Sequence, residues 1–485
     1  MSLKVLLTLP IREGNNFQVS PDLGLLYLGT ALEASGFQVT LLDCPKERFS
    51  FQDFRTFVKE NEFDVVGLRC FSRDYNYVDH HLNIAKDVNP NILTLVGGPH
   101  PSALPEFVLA GMSNLDFAWR SEAEEGLPQL LSLFGQHGLQ MPEANLKEIP
   151  GLVWRSREED QIVANPVSLG KDLDAFGLPR WELIQPETYP GFIWDEYYPV
   201  YTTRGCPYPC TYCNAPNLSG RKLRHRSVAG LIEELTMLKQ RYQTRRFSII
   251  DDEFTLHRKF TIEFCEAMID AGLDLKFDCP NGVRIDSLDP ELLQLMEAAG
   301  CESLAVGIES GSERIQEIIK KRTTVAKIRE RAEMIAGCSG IKITGYFMIG
   351  FLDETEDEIR ETIEFATSLP LVRANFNVVI PIPGTEIFDE CLEAGKLKVE
   401  EINWDQYTSD QIAFERNHIS SKQLLRLQRQ AYLRFYGRPQ LVFRLAQDSL
   451  RDREVIWASV RKLKMILCRS NPRNFVPMYL REALP

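Results

Sequence analysis

Cys206-Pro207-Tyr208-Pro209-Cys210-Thr211-Tyr212-Cys213 places three cysteines within eight residues. The β-prone run Val200-Tyr201-Thr202-Thr203 stands just before it. Three thiolates on so short a loop can converge on one soft metal centre. A [4Fe–4S] cluster ordinarily takes four cysteines, and no fourth lies near, since Cys70 and Cys265 are the next in either direction. One iron would then stand open to a small chelating ligand. A zinc site is the plainer alternative and wants four ligands, commonly in two spaced pairs. His225 is the residue that could complete such a set.

Around the loop, strand-like and helix-like segments alternate. Strands are expected at Val200–Thr203, Phe247–Ile250, Leu275–Val283, Ser303–Ile308, Ile343–Ile349 and Phe376–Ile380, with helices such as Val228–Tyr242 and Pro290–Ala299 between them. Six strands with crossover helices make a partial barrel, short of the eight that close a full one. The same alternation opens the chain, with strands at Leu3–Leu9, Phe37–Leu42, Asp64–Leu68, Ile92–Val96 and Phe117-Ala118, and helices at Leu23–Ala34, Phe51–Glu62, Tyr75–Val88 and Ala123–Phe134. That rhythm predicts a doubly wound α/β domain, whose ligand crevice lies beyond the carboxyl ends of its strands. The expected division is residues 1–140, a connector at 141–196 rich in proline with a hairpin over Gly151–Val163, the barrel at 197–395, and a mostly helical basic region at 396–485.

The 485 residues are 44% hydrophobic and 25% charged with a net charge of -13, enough apolar material for real cores. The acidic balance argues against broad nucleic-acid binding. Eleven cysteines in a chain this long are too sparse for a disulfide framework. Cys44, Cys70, Cys265, Cys279, Cys301, Cys338, Cys391 and Cys468 form no C-x2-C pair, so they are expected to be buried small apolar residues and no auxiliary cluster is expected. No signal-like start and no run of about 18 apolar residues is found, so the expectation is a cytoplasmic protein without a spanning helix.

C-x3-C-x2-C after a first barrel strand resembles the radical S-adenosylmethionine (SAM) superfamily. The resemblance implies that Cys206, Cys210 and Cys213 are the metal ligands and catalytic cysteines of a [4Fe–4S] cluster whose fourth iron is chelated by SAM. It also implies that Tyr212 packs near the adenine. Asp251-Asp252-Glu253-Phe254 ends the second strand, where the family presents groups to the methionine amine, so Asp252 and Glu253 are candidates. Acids there also suit a helix N-terminus. Gly307-Ile308-Glu309-Ser310-Gly311-Ser312 resembles the segment whose acid reaches the SAM ribose, which points to Glu309 with Ser310 beside it. In Gly345-Tyr-Phe-Met-Ile-Gly350, Gly350 would let adenine approach the backbone. Leu352 stands where many relatives carry proline. Pro381-Ile-Pro-Gly-Thr-Glu386 resembles a segment of one branch of the superfamily.

That branch carries an N-terminal cobalamin (B12)-binding domain, and residues 1–140 are similar to it. Ser20-Pro21-Asp22-Leu23-Gly24-Leu25, Gly97-Gly98-Pro99-His100 and Glu122-Ala-Glu-Glu125 carry the likeness. Gly24, Gly97 and Gly98 would admit a bulky ligand close to the backbone. The D-x-H-x-x-G segment that supplies a cobalt-ligating histidine elsewhere is absent, as is usual in this branch. His100 is either a cobalt neighbour or a loop histidine bonded to backbone.

The resemblance therefore implies a cobalamin-dependent enzyme that reductively cleaves SAM to a 5′-deoxyadenosyl radical and methylates an unactivated carbon of a small molecule. It leaves open a cyclase or oxidative rearrangement enzyme without methyl transfer, and an iron–sulfur sensor without turnover. An external electron donor such as flavodoxin or ferredoxin is implied as well. Residues 415–485 hold 15 Lys and Arg against 5 Asp and Glu. Tyr432-Leu-Arg-Phe-Tyr-Gly-Arg-Pro439 within them resembles the end of the anaerobic magnesium-protoporphyrin ester cyclase group. Capping of the barrel is the default for this segment; contact with a hydrophobic or anionic substrate, or with a membrane surface, is the alternative.

Overall fold

The computed structural model describes residues 2–12, 20–189, 197–408, 412–439 and Leu441. Five short apolar runs build the first sheet: β1 (Lys4–Leu9), β2 (Gln38–Asp43), β3 (Val65–Arg69), β4 (Leu93–Gly97) and β5 (Phe117–Trp119). Val5, Leu6 and Leu7 are buried in succession, the pattern of a strand covered on both faces by helices. The five are parallel in the order β2-β1-β3-β4-β5. The strand order therefore switches at β1, and a crevice opens at the carboxyl ends there. The helix after β1, Leu23–Ala34, starts at Asp22, whose carboxylate accepts the Leu25 amide at 2.8 Å.

The connector hairpin adds to this sheet. β6 (Leu152–Ser156) and β7 (Gln161–Ala164) pair antiparallel, and β6 joins β5, so the sheet has seven strands. Leu152, Val153 and Trp154 are buried, and that apolar run is what brings the hairpin onto the sheet edge.

The second sheet holds β8 (Tyr197–Val200), then, after two short pieces β9 (Thr203–Arg204) and β10 (Arg224–His225), the strands β11 (Arg246–Ile249), β12 (Lys276–Val283), β13 (Cys301–Glu309), β14 (Lys342–Ile349) and β15 (Arg373–Val378). β8 and β11 to β15 are parallel in sequence order with open edges, a partial (β/α)6 barrel. The first strand is expected to run through Thr203 but stops at Val200. Asp251, just past β11, accepts the Thr202 amide at 2.7 Å and the Thr203 amide at 2.9 Å. Thr203-Arg204 then pairs antiparallel with Arg224-His225, and the three cysteines hang from this small hairpin.

The barrel core is aromatic near its start. Phe277 is fully buried, stacked on Phe247 at 5.4 Å and edge-on to Phe254 and Phe264. At the far side Phe347 stacks on Phe376 at 5.1 Å. The helix Ser421–Tyr436 covers the β15 edge: Gln428 donates to the Phe376 carbonyl at 2.8 Å, and Tyr432 lies edge-on to the Phe376 ring. The described part of the basic region thus caps the barrel. No helix of the described residues is long and apolar enough to cross a membrane. Cys44, Cys70, Cys265, Cys279, Cys301 and Cys391 are buried and Cys338 partly so, while Cys468 lies outside the described residues.

Replacing Phe277 with alanine removes a fully enclosed ring from this stack. The expected cost is about 3–5 kcal/mol, read as a lowered midpoint in chemical denaturation.

Candidate active site

The hairpin loop is anchored by backbone bonds at several points. Cys206 donates to the Gly220 carbonyl at 3.1 Å, Thr211 to the Ile319 carbonyl at 3.2 Å, and Ile387 returns a bond to the Thr211 carbonyl at 3.1 Å. Gly205 has φ +96, and a Cβ there would lie 2.5 Å from the Lys222 carbonyl oxygen. Only glycine fits that turn.

Cys206, Cys210 and Cys213 are partly exposed free thiols. Desolvation pushes Cys206 and Cys213 up to about 11, against amide bonds from Tyr208 and Ala215 respectively. The loop therefore stabilises thiolates only when a cation shares the site. No three His, Cys, Asp or Glu side chains among the described residues converge as a single-ion site. His225 instead stacks on His257 at 5.6 Å and packs on Phe260. The donor set is three thiols without an imidazole, which suits an iron–sulfur cluster spread over several irons.

The carboxyl ends of the neighbouring strands surround the loop. Glu309 ends β13 in the left-handed region, at φ +66, where the pairing with β14 shifts register. Its Oε1 accepts the Tyr212 hydroxyl at 2.9 Å and Lys321 Nζ at 2.9 Å, and Lys321 also donates to the Tyr212 oxygen at 3.1 Å. Burial opposes the Lys321 charge, yet Glu309 and then Cys210 on balance hold its ammonium above the ordinary value. Desolvation and the Glu309 charge raise the Tyr212 phenol well above its own. Gly307 makes room for this trio, because a Cβ there would sit 2.5 Å from Glu309 Oε1 and 2.7 Å from Lys321 Nζ.

The acidic run after β11 divides into three roles. Asp251 is buried on Thr202 and Thr203, and burial raises its carboxyl to about 6 despite those bonds. Glu253 is buried too, accepting the Arg284 amide at 2.8 Å and the Thr255 hydroxyl at 2.6 Å. Its carboxylate is therefore engaged within the fold. Asp252 is the exposed member, with the Gly205 amide and the Ser219 hydroxyl against it. Ser310 is buried, bonded to Thr362 Oγ1 at 3.1 Å and to the Ser312 amide, so it shapes the turn after Glu309. Gly350 has φ +84, but the space of its missing side chain holds Leu424 and Arg416 of the C-terminal segment, 2.6 and 2.9 Å from where a Cβ would be. The sequence suggests an adenine there; the structure gives a packing reason for that glycine.

On the first domain, Gly98 has φ +104, and a Cβ would lie 3.1 Å from the Cys70 carbonyl. Gly97 and Gly24 are less crowded, with the nearest atoms at 3.8 and 3.2 Å. His100 is fully buried among Tyr75, Phe107 and Trp404, the last at 4.7 Å. Its Nδ1 pairs with the Ser72 hydroxyl at 3.0 Å and not with backbone. Desolvation lowers it to about 4, which leaves it neutral at neutral pH. Its Nε2 and Arg69 Nε are buried without a hydrogen-bond partner among the described residues. Both follow from the carboxyl ends of β3 and β4, so orphaned donors or acceptors mark the crevice where a ligand fits.

Lys321 and Arg284 escape the sequence reading. Lys321 stands in Lys320-Lys321-Arg322, which reads as a solvated charge run. Arg284 is only 6% exposed, lies over the Tyr208 ring at 3.9 Å and pairs with Asp286. A cation directly after β12, at the carboxyl end of a barrel strand, is the signal that could have found it.

A doubly wound domain facing a six-stranded partial barrel, with a three-thiol loop beyond the first barrel strand, defines a two-domain radical enzyme of the iron–sulfur class. Residues 200–366 match the radical SAM superfamily and residues 16–131 the B12 binding domain. An uncharacterised methyltransferase of Pyrococcus horikoshii is 30% identical over 448 residues, which is 91% of this chain and 94% of that protein. The anaerobic magnesium-protoporphyrin IX monomethyl ester cyclase of Rubrivivax gelatinosus is 27% identical over 390 residues, 80% of this chain and 68% of that one. The radical SAM methyltransferase TsrM from Kitasatospora setae, solved with cobalamin and a [4Fe–4S] cluster, superposes with a TM-score of 0.67 at 18% identity. That match covers 81% of this chain and 78% of TsrM, and the likeness is one of fold. The chain belongs to the radical SAM superfamily, in the branch with a B12-binding domain.

Behind Gly350, Glu354 accepts the Gly350 and Phe351 amides while its Oε1 is buried without a partner among the described residues. Burial raises its carboxyl from 4.5 to about 8. The folded state therefore holds a proton that the unfolded chain has lost above about pH 4.5. Its contribution is fully present below that pH and fades as the pH rises through about 8,. Glu354→Gln should flatten the fall in denaturation midpoint between pH 5 and 8 that the native chain shows.

Proposed function

We propose that this chain is a cobalamin-dependent radical SAM enzyme that methylates an unactivated carbon of a small-molecule substrate. The observation that carries the reading is the place of the thiol loop. It stands at the carboxyl edge of the barrel sheet, and the short helix that follows it is bonded to the first domain, where the Ser121 hydroxyl donates to the Leu218 carbonyl. When bound, the cluster supplies the electron that cleaves SAM, and cobalamin carries the methyl group.

In this reading Cys206, Cys210 and Cys213 hold three irons. Lys321, Glu309 and the exposed Asp252 offer one cation and two anions to SAM, with the cation matched to its carboxylate. Tyr212 braces Glu309 and Lys321, and Ser310 holds the turn behind them. Glu253 and Gly350 support the site through the fold. Gly24, Gly97, Gly98 and His100 face cobalamin at the crevice of the first domain. Residues 1–140 form the cobalamin domain, 141–196 the connector, 197–395 the barrel and 396–485 the basic helical region. The protein works in the cytoplasm with an external donor such as flavodoxin or ferredoxin. Its basic region favours a hydrophobic or anionic substrate.

A second reading is cyclisation or oxidative rearrangement without methyl transfer, favoured by the identity to the cyclase of Rubrivivax gelatinosus. A methylated product separates the two.

Anaerobic reconstitution with iron, sulfide and hydroxocobalamin, followed by desalting, should leave about four irons and one cobalt per chain. Iron without cobalt removes the methylation reading and keeps the radical SAM assignment. Cys210→Ala should lose most of the bound iron and all SAM cleavage; cleavage that survives it overturns the ligand assignment.

A further inference from the structure

The chain on both sides of the thiol loop is tied to the first domain by charge. Arg204 stands two residues before Cys206, and Arg224 faces it across the β9–β10 ladder. Their guanidinium groups therefore mark the base of the hairpin from which the loop hangs. Arg224 grips Glu122 in a two-pronged bond, Nη2 to Oε1 at 2.6 Å and Nη1 to Oε2 at 2.8 Å. Arg204 Nη1 reaches Glu124 Oε1 at 2.8 Å and Glu122 Oε1 at 3.4 Å. None of the four side chains is more than 14% exposed. Arg224 further donates to the Gly170 carbonyl at 2.6 Å and the Ser219 carbonyl at 3.0 Å, and Arg204 lies over the Tyr27 ring at 5.0 Å.

Such a network gains little stability. Desolvating two carboxylates and two guanidinium groups consumes much of what their attraction returns, and apolar side chains of the same size would hold the seam as firmly. What apolar contacts lack is direction. The forked Arg224–Glu122 bond fixes distance and angle together, and the contacts of Arg204 Nη1 on the paired strand add a second tether against sliding and rotation. The carboxylates come from the turn after β5, at the same edge of the first sheet as Gly98 and His100.

We propose that Glu122 and Glu124 are positioning residues. Through Arg224 and Arg204 they set the spacing and orientation of the thiol loop against the cobalamin face of the first domain. The inference rests on the function proposed above, because the spacing matters only where both cofactors sit. A misplacement of about 1 Å between reacting partners can cost a factor of roughly 100 in rate.

The test reads that spacing directly. The full chain is loaded with both cofactors and reduced so that the cluster and cob(II)alamin are each paramagnetic, and their dipolar coupling is measured by electron paramagnetic resonance. The coupling scales with the inverse cube of the separation. Glu122→Gln/Glu124→Gln should keep its iron and cobalt but show a shifted and broadened coupling, while Glu125→Gln, at an exposed neighbour, should match the native chain. An unchanged coupling in the double variant overturns the proposal. If the double variant loses either cofactor, Glu122→Asp carries the test, since it keeps the charge and withdraws the carboxylate by one methylene. A changed coupling there supports the clamp, and a native coupling overturns it. A native chain that takes up no cobalt removes the proposed function and this inference together, whereas a coupled native chain with indifferent variants removes this inference alone.

Discussion

The bonds from Thr202 and Thr203 to the Asp251 carboxylate are the constraint on which the site depends. A parallel strand that ran on through Thr203 would keep its amides for the sheet. Asp251 takes both amides, and both hydroxyls as well. The strand ends at Val200, and the chain leaves the sheet as a short hairpin. A buried carboxylate needs that many donors to be tolerated, so the break in the strand and the burial of the acid are mutually required. Everything downstream, from the glycine turn at Gly205 to the thiol loop itself, is projected from the point where Asp251 stops the strand.

The neighbouring strands end in equally specific ways. Glu309 adopts a backbone conformation that costs a side-chain-bearing residue of order 1–3 kcal/mol, and it is held there by its bonds to Lys321 and Tyr212. The register shift beside it and the absence of a side chain at Gly307 give the carboxylate its course. The strain is local, at the one strand end where an acid, a buried ammonium and a phenol meet the thiol loop. That coincidence separates Glu309 from Glu253, whose backbone is ordinary and whose carboxylate is spent on Thr255 and the Arg284 amide.

The strand–helix alternation of both halves and the clustering of three cysteines after a strand were readable because each rests on local pattern: buried apolar runs, their spacing, and three cysteines within eight residues. The connector hairpin was readable as a hairpin, though its docking on β5 was not, since sheet edges are chosen by tertiary packing. The acids after β11 show the limit most plainly. Asp251, Asp252 and Glu253 are adjacent and chemically alike, yet only Asp252 remains exposed, because successive residues turn in different directions where a strand gives way to a loop. Gly350 carries a similar lesson. A glycine with positive φ signals a close approach, but the sequence does not say by what, and here Leu424 and Arg416 arrive from some 70 residues away.

Charge balance explains the two cations that the sequence did not announce. Three sulfurs crowd a region where desolvation already raises two of the thiols, so a thiolate formed there is a costly anion. A buried anion of that kind needs nearby positive charge more than it needs hydrogen bonds alone. Arg284 stands directly after β12 and Lys321 beyond the helix that follows β13, and the Cys210 charge acts on both. Arg284 retains one buried nitrogen, Nη1, without a partner among the described residues. The loop is therefore braced from outside by carboxylates that hold its arginines and from inside by cations that offset its sulfurs. The two sets of charges have opposite sign because the first closes on arginines and the second faces sulfurs.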